Sequence, residues 1–312
     1  LKHPINLSSL KSVDWLAARH LNRYEHRAMA TLFEIFLYHQ DSEYAAQAVQ
    51  AAFAETDRLE QELSRYIDNS DISRINDLIP GESVKVGLDA FNCLQFCQQI
   101  YRQTQGAFDI TVGTLVDWWR RQNPAGRLQK KIPNGIMEKT GLKYLVLDDD
   151  NYSVQVLQSG LHIDLGGVGK GFALDRMAAV LSEWGISRAM LHSGYSTVLA
   201  LAAPANEEGW PVALKHPLSG EVIRYKTLIH SAISGSGIQK GAHIIVPGSG
   251  KAVEDNLAAW VTASTAALAD ALSTALMIMT KVQTEEFVTR YPEVAACILC
   301  KRKSQVQFIG QF

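Results

Sequence analysis

Apolar positions recur along this chain with two different periods. ATLFEIFLYH (30–39) is dense in β-branched and aromatic residues and predicts a strand. From Ser42 the spacing lengthens: Ala45, Val49, Ala52, Thr56, Leu59 and Leu63 alternate steps of four and three, which predicts a long helix. The polar stretch SRYIDNSDISRINDL breaks that pattern, and LDAFNCLQFCQQIYRQT resumes it as a second helix. GLKYLVLDDDNYSVQVLQSG predicts a hairpin turning at DDDN, and LHIDL predicts a strand. GFALDRMAAVLSEWG places Leu174, Met177, Ala178 and Leu181 on one helical face, with Gly185 as a stop. Short strands follow at RAMLHS, TVLALAA, WPVALKHP, VIRYKTLI, AHIIVP and AAWVTAS. A helix around Asp270, a helix over 283–290 and two closing strands complete the chain. Runs of strands with helices inserted, rather than strict alternation, predict an α+β fold.

Composition adds limits. The 312 residues are 47% hydrophobic and carry 30 basic and 32 acidic side chains, for a formal charge of -2. That is enough chain for a sizeable core, in one large domain or two small ones. No basic stripe points to nucleic acid and no polybasic helix points to a membrane surface, so a small molecule or another protein is the expected partner. The apolar run VTASTAALADALSTALMIM (261–279) is long enough to raise a membrane span. It is rich in Ala, Ser and Thr, and Asp270 sits at its middle, where insertion costs about 2.5–3.5 kcal/mol. A buried helix, not a transmembrane segment, is expected there. Cys93 and Cys97, and Cys297 and Cys300 in ACILC, lie in apolar surroundings and read as buried thiols rather than zinc ligands or a disulfide framework. The polar connection RRQNPAGRLQKKIPNG (120–135) is the best candidate for an exposed loop or subdomain boundary.

Two features carry candidate chemistry. In HIDLGGVGKGFALD (162–175) a glycine turn joins an extended run to a helix, the arrangement that offers backbone N–H groups and a helix N-terminus to an anion. A P-loop would need Ser or Thr after the lysine, and Gly171 stands there; a dinucleotide fold would need GxGxxG, and the order is GGxGxG. The turn therefore reads either as an anion site of another kind or as a close approach of helix and strand. Asp164 beside it suits a metal or a nucleotide edge better than a phosphate. In STAALADALSTAL, Asp270 and Thr274 are four apart and project from one helix face, supplying oxygen ligands suited to Mg2+. The same pair also has purely structural uses, as a loop cap and a bond back along the helix.

Together these segments are specific. DLGGVGKGFALD resembles the DLGGxAKGxAxD signature of the FAD:protein FMN transferase family (ApbE-type proteins), and STAALADALSTAL resembles its PTAxxADAxSTA helix. HRAMATLFEI, LSRYIDNSDISRIN and GAFDITVGTLVDWW are similar to three earlier family segments, and SGSG followed by HIIVPGSG to a later one. The matches fall in family order over roughly residues 25 to 312. Residues 1–24 are then an N-terminal extension, and 25–312 one FAD-binding domain or two subdomains meeting near 120–135. The resemblance implies an α+β fold that binds FAD with Mg2+ and transfers FMN onto a Ser or Thr hydroxyl of an acceptor protein, releasing AMP. It implies FAD contacts from Met29, Tyr66, Ala107, Phe108, Asp109, Asp164 and Lys170. It implies a metal held by the Asp270 carboxylate, the Thr274 hydroxyl and the Gly167 carbonyl, and His243 as the group that helps deprotonate the acceptor; His243 and Asp270 are the expected catalytic residues. Family likeness also points to an exported, periplasmic or membrane-anchored setting, although LKHPINLSSLKSVDWL does not read as a signal peptide and the chain shows no lipobox cysteine.

At two places the chain departs from the pattern. HSGYS (192–196) stands where the family has NAGGD, and HIIVP has Val246 where the family has Asp. Three readings follow: an active transferase, a relative that hydrolyses FAD to FMN and AMP with water as acceptor, and a flavin-binding protein without catalysis.

Overall fold

The computed structural model describes residues 21–122, 132–204, 206–238, 244–301 and 305–312. The first elements are β1 (Leu21–Ala28), β2 (Thr31–Tyr38), α1 (Ser42–Leu63), α2 (Asp71–Asn76), β3 (Ser83–Lys85) and α3 (Leu88–Gln103). Next come α4 (Gly113–Gln122), α5 (Asn134–Met137), β4 (Leu145–Asp148), β5 (Ser153–Val156) and α6 (Gly169–Glu183). A run of strands follows: β6 (Ala189–Ser193), β7 (Thr197–Ala200), β8 (Trp210–Lys215), β9 (Val222–Leu228), β10 (Ser231–Gly237) and β11 (Asn256–Ala263). The chain closes with α7 (Ala266–Ile278), α8 (Lys281–Arg290), β12 (Ala295–Cys300) and β13 (Val306–Ile309).

An antiparallel sheet of eight strands, in the order β1-β2-β6-β7-β10-β11-β12-β13, divides the fold into layers. The period-two pattern of β2 shows how. Phe33, Ile35 and Leu37 face the larger core, which they share with α1, α3, α6 and α7, whereas Phe36 turns to the opposite core with Met190, Trp210 and Trp260. The β8–β9 hairpin covers that second face. A three-stranded sheet, β3-β5-β4, lies apart, and its Val154 and Val156 join the larger core. Burial along α1 follows the apolar stripe read from the sequence, from Ala45 to Leu63. The Asp41 side chain caps its first turn through the Glu43 and Tyr44 N–H groups, both at 3.0 Å. At the end of α6, Gly185 has φ +71°, and Ile186 N–H reaches back to Leu181 O at 2.9 Å while Gly185 N–H reaches Ser182 O. That is a Schellman ending, which a glycine at this position makes inexpensive.

Two strand expectations are corrected. LHIDL (161–165) is extended but forms only a single parallel bridge, His162 to Val112. Its backbone is satisfied by a loop and a side chain instead: Asp164 N–H donates to Ile110 O at 2.7 Å, and Ile163 N–H donates to the Asn76 side chain at 2.6 Å. Of AHIIVP, the described part is limited to one bridge, Ile245 to Ala252, because the chain turns at once so that Gly250 N–H bonds Val246 O at 2.7 Å. Two strands carried no strand-like pattern: β10, made of small Ser, Ala and Gly residues, and β1, an edge strand of mostly polar residues. Asp270 lies on α7, which is buried along most of its length, and among the described residues no helix is long and apolar enough to cross a membrane.

Candidate active site

The last turn before α6 and the first half of α7 meet at their N-terminal ends. Gly171 makes this possible: a Cβ there would fall 2.3 Å from the Ala266 carbonyl oxygen, so only a residue without one lets the helices approach this closely. The contact is reinforced in both directions. Asp175 of α6 accepts from the Ala266 and Ala267 N–H groups at 2.8 Å each, and Asp270 of α7 accepts from the Gly171 N–H at 3.2 Å. Burial pushes the Asp175 carboxyl up to about 6, against the two backbone bonds that favour its charged form.

Asp270 is buried, and donors converge on both its oxygens. Besides the Gly171 N–H, Oδ2 has Lys170 Nζ at 3.4 Å. Oδ1 lies 3.3 Å from Thr197 Oγ1 on β7 and 3.1 Å from Ser234 Oγ on β10, and those hydroxyls bond each other at 2.9 Å. One helical turn on, Thr274 Oγ1 is 3.2 Å from Ser236 Oγ. The glycine turn closes on this hydroxyl: a Cβ on Gly167 would lie 3.3 Å from Thr274 Oγ1 and 3.4 Å from the Phe108 ring. The Lys170 ammonium also donates to the Gly166 carbonyl at 3.0 Å, so it bridges turn and helix.

These groups open onto a cavity of about 330 Å³, within the range of small-molecule sites. Of the residues singled out from the sequence, Ala107, Phe108, Asp109 and Asp164 line it, as do Gly167, Lys170, Asp270 and Thr274. Val112, Val116, Ile244 and Ile245 add an apolar wall, and Gly235 and Ser236 add the end of β10. Asp109 is buried, and that burial raises its carboxyl above the ordinary value while the Thr111 N–H and hydroxyl, at 2.8 and 2.6 Å, partly offset it. Asp164 accepts from the Gly166 N–H at 2.8 Å and pairs with Arg65 Nε at 3.3 Å.

Other expected residues sit elsewhere. Met29 occupies the β1–β2 turn with φ +49° and packs on the larger core, off the cavity wall. Tyr66 is also off the wall, but its hydroxyl accepts from Arg120, which lines the cavity. His243 lies outside the described residues; its neighbours Ile244 and Ile245 are on the wall. In the HSGYS segment, Gly194 and Ser196 line the cavity, whereas Tyr195 sits in the left-handed turn (φ +56°) with its ring 5.5 Å from that of His192. Its bulk is not on the cavity wall. His192 is buried on the opposite face of the sheet, with Nε2 2.6 Å from Glu34 Oε2. Thr197, Ser234, Ser236, Arg65 and Arg120 have no mark in the sequence as single residues; only the small-residue run SGSG hinted at the β10 contribution.

The donors at the Asp270 end fit a hard divalent cation. They are the Asp270 carboxylate and the Thr274 and Ser236 hydroxyls, near the Gly166 carbonyl, with room in the cavity for phosphate and water to complete the shell. The Lys170 ammonium stands at Asp270 Oδ2 beside them. Among the described residues no cluster of three or more His, Cys, Asp or Glu side chains is present, so one carboxylate would carry the acidic share.

Known proteins place the chain. The FAD:protein FMN transferase of Escherichia coli (strain K12) is 29% identical over 286 residues, covering 85% of this chain and 80% of the relative. That of Buchnera aphidicola subsp. Schizaphis graminum is 26% identical over 302 residues, 89% and 85% of the two chains. Among solved structures, the ApbE protein of Thermotoga maritima matches with a TM-score of 0.83 at 25% identity, over 93% of this chain and 97% of that one. The flavin transferase ApbE from Vibrio cholerae shares the fold, with a TM-score of 0.80 at 21% identity over 94% and 98%. The ApbE family model runs over residues 29–299, from the β1–β2 turn to the end of β12. With the glycine turn, the Asp270 helix and the sheet that joins them all inside that match, this chain belongs to the ApbE family and has its α+β flavin transferase fold.

Proposed function

We propose that this chain transfers the FMN half of FAD to a Ser or Thr hydroxyl of an acceptor protein, with Mg2+, and releases AMP. The observation that carries the reading is the position of the buried Asp270 carboxylate and the Thr274 hydroxyl against the Gly166–Gly167 turn, on the wall of one cavity with Lys170. Relatives that carry the transferase name support it.

Asp270, Thr274 and the Gly167 carbonyl would hold the metal, which when bound neutralises charge on phosphate oxygens. Lys170 adds a second positive charge beside it. Phe108, Ile110, Val112 and Ile244 supply an apolar wall that holds ring systems and excludes water. In the transfer, the acceptor oxygen forms a bond to the FMN phosphorus and the bond from that phosphorus to the bridging oxygen breaks. AMP leaves with the electron pair, and the hydroxyl proton passes to His243, a base of suitable range. Ser196 stands on the wall where the family pattern has a carboxylate, and Val246 packs on the core where it has another. The reading therefore assigns no essential step to either position.

The test is incubation with FAD, magnesium chloride and an acceptor protein that carries a family-type Ser/Thr site. In-gel flavin fluorescence on the acceptor, with stoichiometric AMP, is expected. AMP without labelled acceptor would replace the reading by FAD hydrolysis. FAD binding with neither product would replace it by flavin binding alone.

A further inference from the structure

The charges around the cavity are not equally committed. Asp270 has Lys170 at 3.4 Å, and Asp164 has Arg65 at 3.3 Å. Arg65 is in turn occupied by Asp117, at 2.6 Å from Nη2. Arg120 differs. It sits in the last turn of α4, four residues after Val116, and lines the cavity, yet among the described residues no carboxylate lies within ion-pair distance of it.

Its contact is to a neutral group. Arg120 Nη1 donates to the Tyr66 hydroxyl oxygen at 2.8 Å, and Arg65 Nη2 donates to the same oxygen at 3.1 Å. A phenol oxygen has two lone pairs, and two guanidinium donors take both. The Tyr66 O–H is thereby left to donate. The Arg65 guanidinium also lies over the Tyr66 ring, 4.8 Å from its centre, which fixes the phenol in place. Arg120 and Tyr66 together present only donors, with one uncompensated positive charge, at the rim of the cavity. Tyr66 is 70% exposed, so the rim is open to an incoming molecule. Such a cluster selects an anion with several acceptor oxygens, and in FAD the group of that description is the diphosphate.

We propose that Arg120, with the Tyr66 hydroxyl, is a second anchor for the diphosphate of the nucleotide, separate from the Lys170–Asp270 end of the cavity. The inference rests on the reading that the substrate is FAD and names what holds it. Lys170 already shares its charge with Asp270, and Asp109 adds a buried carboxylate on the cavity wall that, among the described residues, has no cation within ion-pair distance. A dianionic group entering this site therefore meets an uncompensated positive charge at Arg120.

The test is calorimetric titration of the wild-type protein, Arg120→Gln and Arg120→Lys with FAD, ADP and riboflavin, with magnesium chloride throughout. Arg120 is exposed, and unchanged circular dichroism and melting temperature will confirm that the variants fold. Arg120→Gln is expected to weaken FAD and ADP alike by roughly ten- to a hundredfold, as befits a lost charge-assisted bond, and to leave riboflavin unaffected. Arg120→Lys should restore part of the affinity, since the charge returns without the planar fork, and the loss should shrink as salt is raised. Wild type that binds FAD while Arg120→Gln binds it equally well overturns this inference and leaves the FAD reading standing. Riboflavin weakened by the same factor also overturns it, because the contact would then be with the ring. Wild type that binds none of the three ligands overturns both.

Discussion

Asp175 and Asp270 cap one another's helices: each carboxylate accepts from the first turn of the helix that carries the other. The helix N-termini of α6 and α7 are brought side by side, and their partial positive charges are answered by two carboxylates in the same small volume. Asp270 also contributes to the raised Asp175 carboxyl, after burial.

This arrangement has a pH signature. A carboxyl lifted to about 6 from its ordinary 3.8 binds its proton more tightly in the folded state. Its contribution is therefore fully present below the ordinary value and is lost as the pH rises through about 6. The loss is on the order of 2–3 kcal/mol between about pH 4 and about pH 7. Asp175→Asn resembles the protonated acid, with an acceptor for one N–H, so it should cost about 1 kcal/mol or less near pH 5 and should not lose further stability as the pH rises through about 6. Urea unfolding across that range should show a flatter pH dependence in Asp175→Asn than in wild type; parallel curves would remove Asp175 from the account.

Gly171→Ala tests the helix contact itself. The added methyl meets backbone rather than a yielding side chain, so α6 and α7 must part. A cost of about 3 kcal/mol is expected, with the melting temperature as the readout. A fall in flavin transfer should accompany it, because the Gly171 N–H is one of the groups that orient Asp270. An unperturbed melting curve would contradict the close approach.

Thr274→Val removes a cavity-facing hydroxyl while keeping shape. Its bonds, to Ser236 Oγ at 3.2 Å and to Asp270 O at 3.4 Å, are long, so stability should fall by about 1 kcal/mol or less. If the hydroxyl is a metal ligand, the Mg2+ concentration for half-maximal transfer should rise roughly tenfold. A variant with unchanged Mg2+ dependence would take Thr274 out of the ligand set.

On the far face of the sheet, Glu34 is held by His192 Nε2 at 2.6 Å and Arg23 Nε at 2.7 Å. Burial alone would raise its carboxyl; the two partners outweigh it and keep it below the ordinary 4.5. The stability from Glu34 is therefore present above that value and lost as the pH falls through the depressed one. His192→Ala should cost about 3 kcal/mol at neutral pH, because a buried carboxylate loses a partner. Its acid-unfolding midpoint should also move to higher pH. Chemical denaturation at several pH values reads both.

Sequence patterns carried the helices well, because their apolar stripes must face one core: the α1 positions from Ala45 to Leu63 and the α6 face from Leu174 to Leu181 are all buried. Strands were legible where β-branched residues alternate, as in β2, and illegible in β10, whose Ser and Gly residues earn their place by giving Asp270 a hydroxyl and the cavity an open wall. LHIDL misled because extended backbone can be satisfied by a loop and by Asn76 as well as by a neighbouring strand. The glycine turn and the α7 pair were visible as motifs with fixed spacing. Thr197, Ser234 and Arg120 come from distant segments that only folding unites, so no local pattern reveals them.

One carboxylate binds four parts of this molecule: Thr197 on β7, Ser234 on β10, the α6 backbone at Gly171 and the Lys170 side chain. A descendant that abandoned chemistry would still need an acceptor at position 270 to keep sheet and helices joined. The aspartate alone is thus a poor marker of a working enzyme. On the proposed reading, the Thr274 hydroxyl and the Arg120 guanidinium, which have lighter architectural duties, are the groups whose loss would record retirement from catalysis.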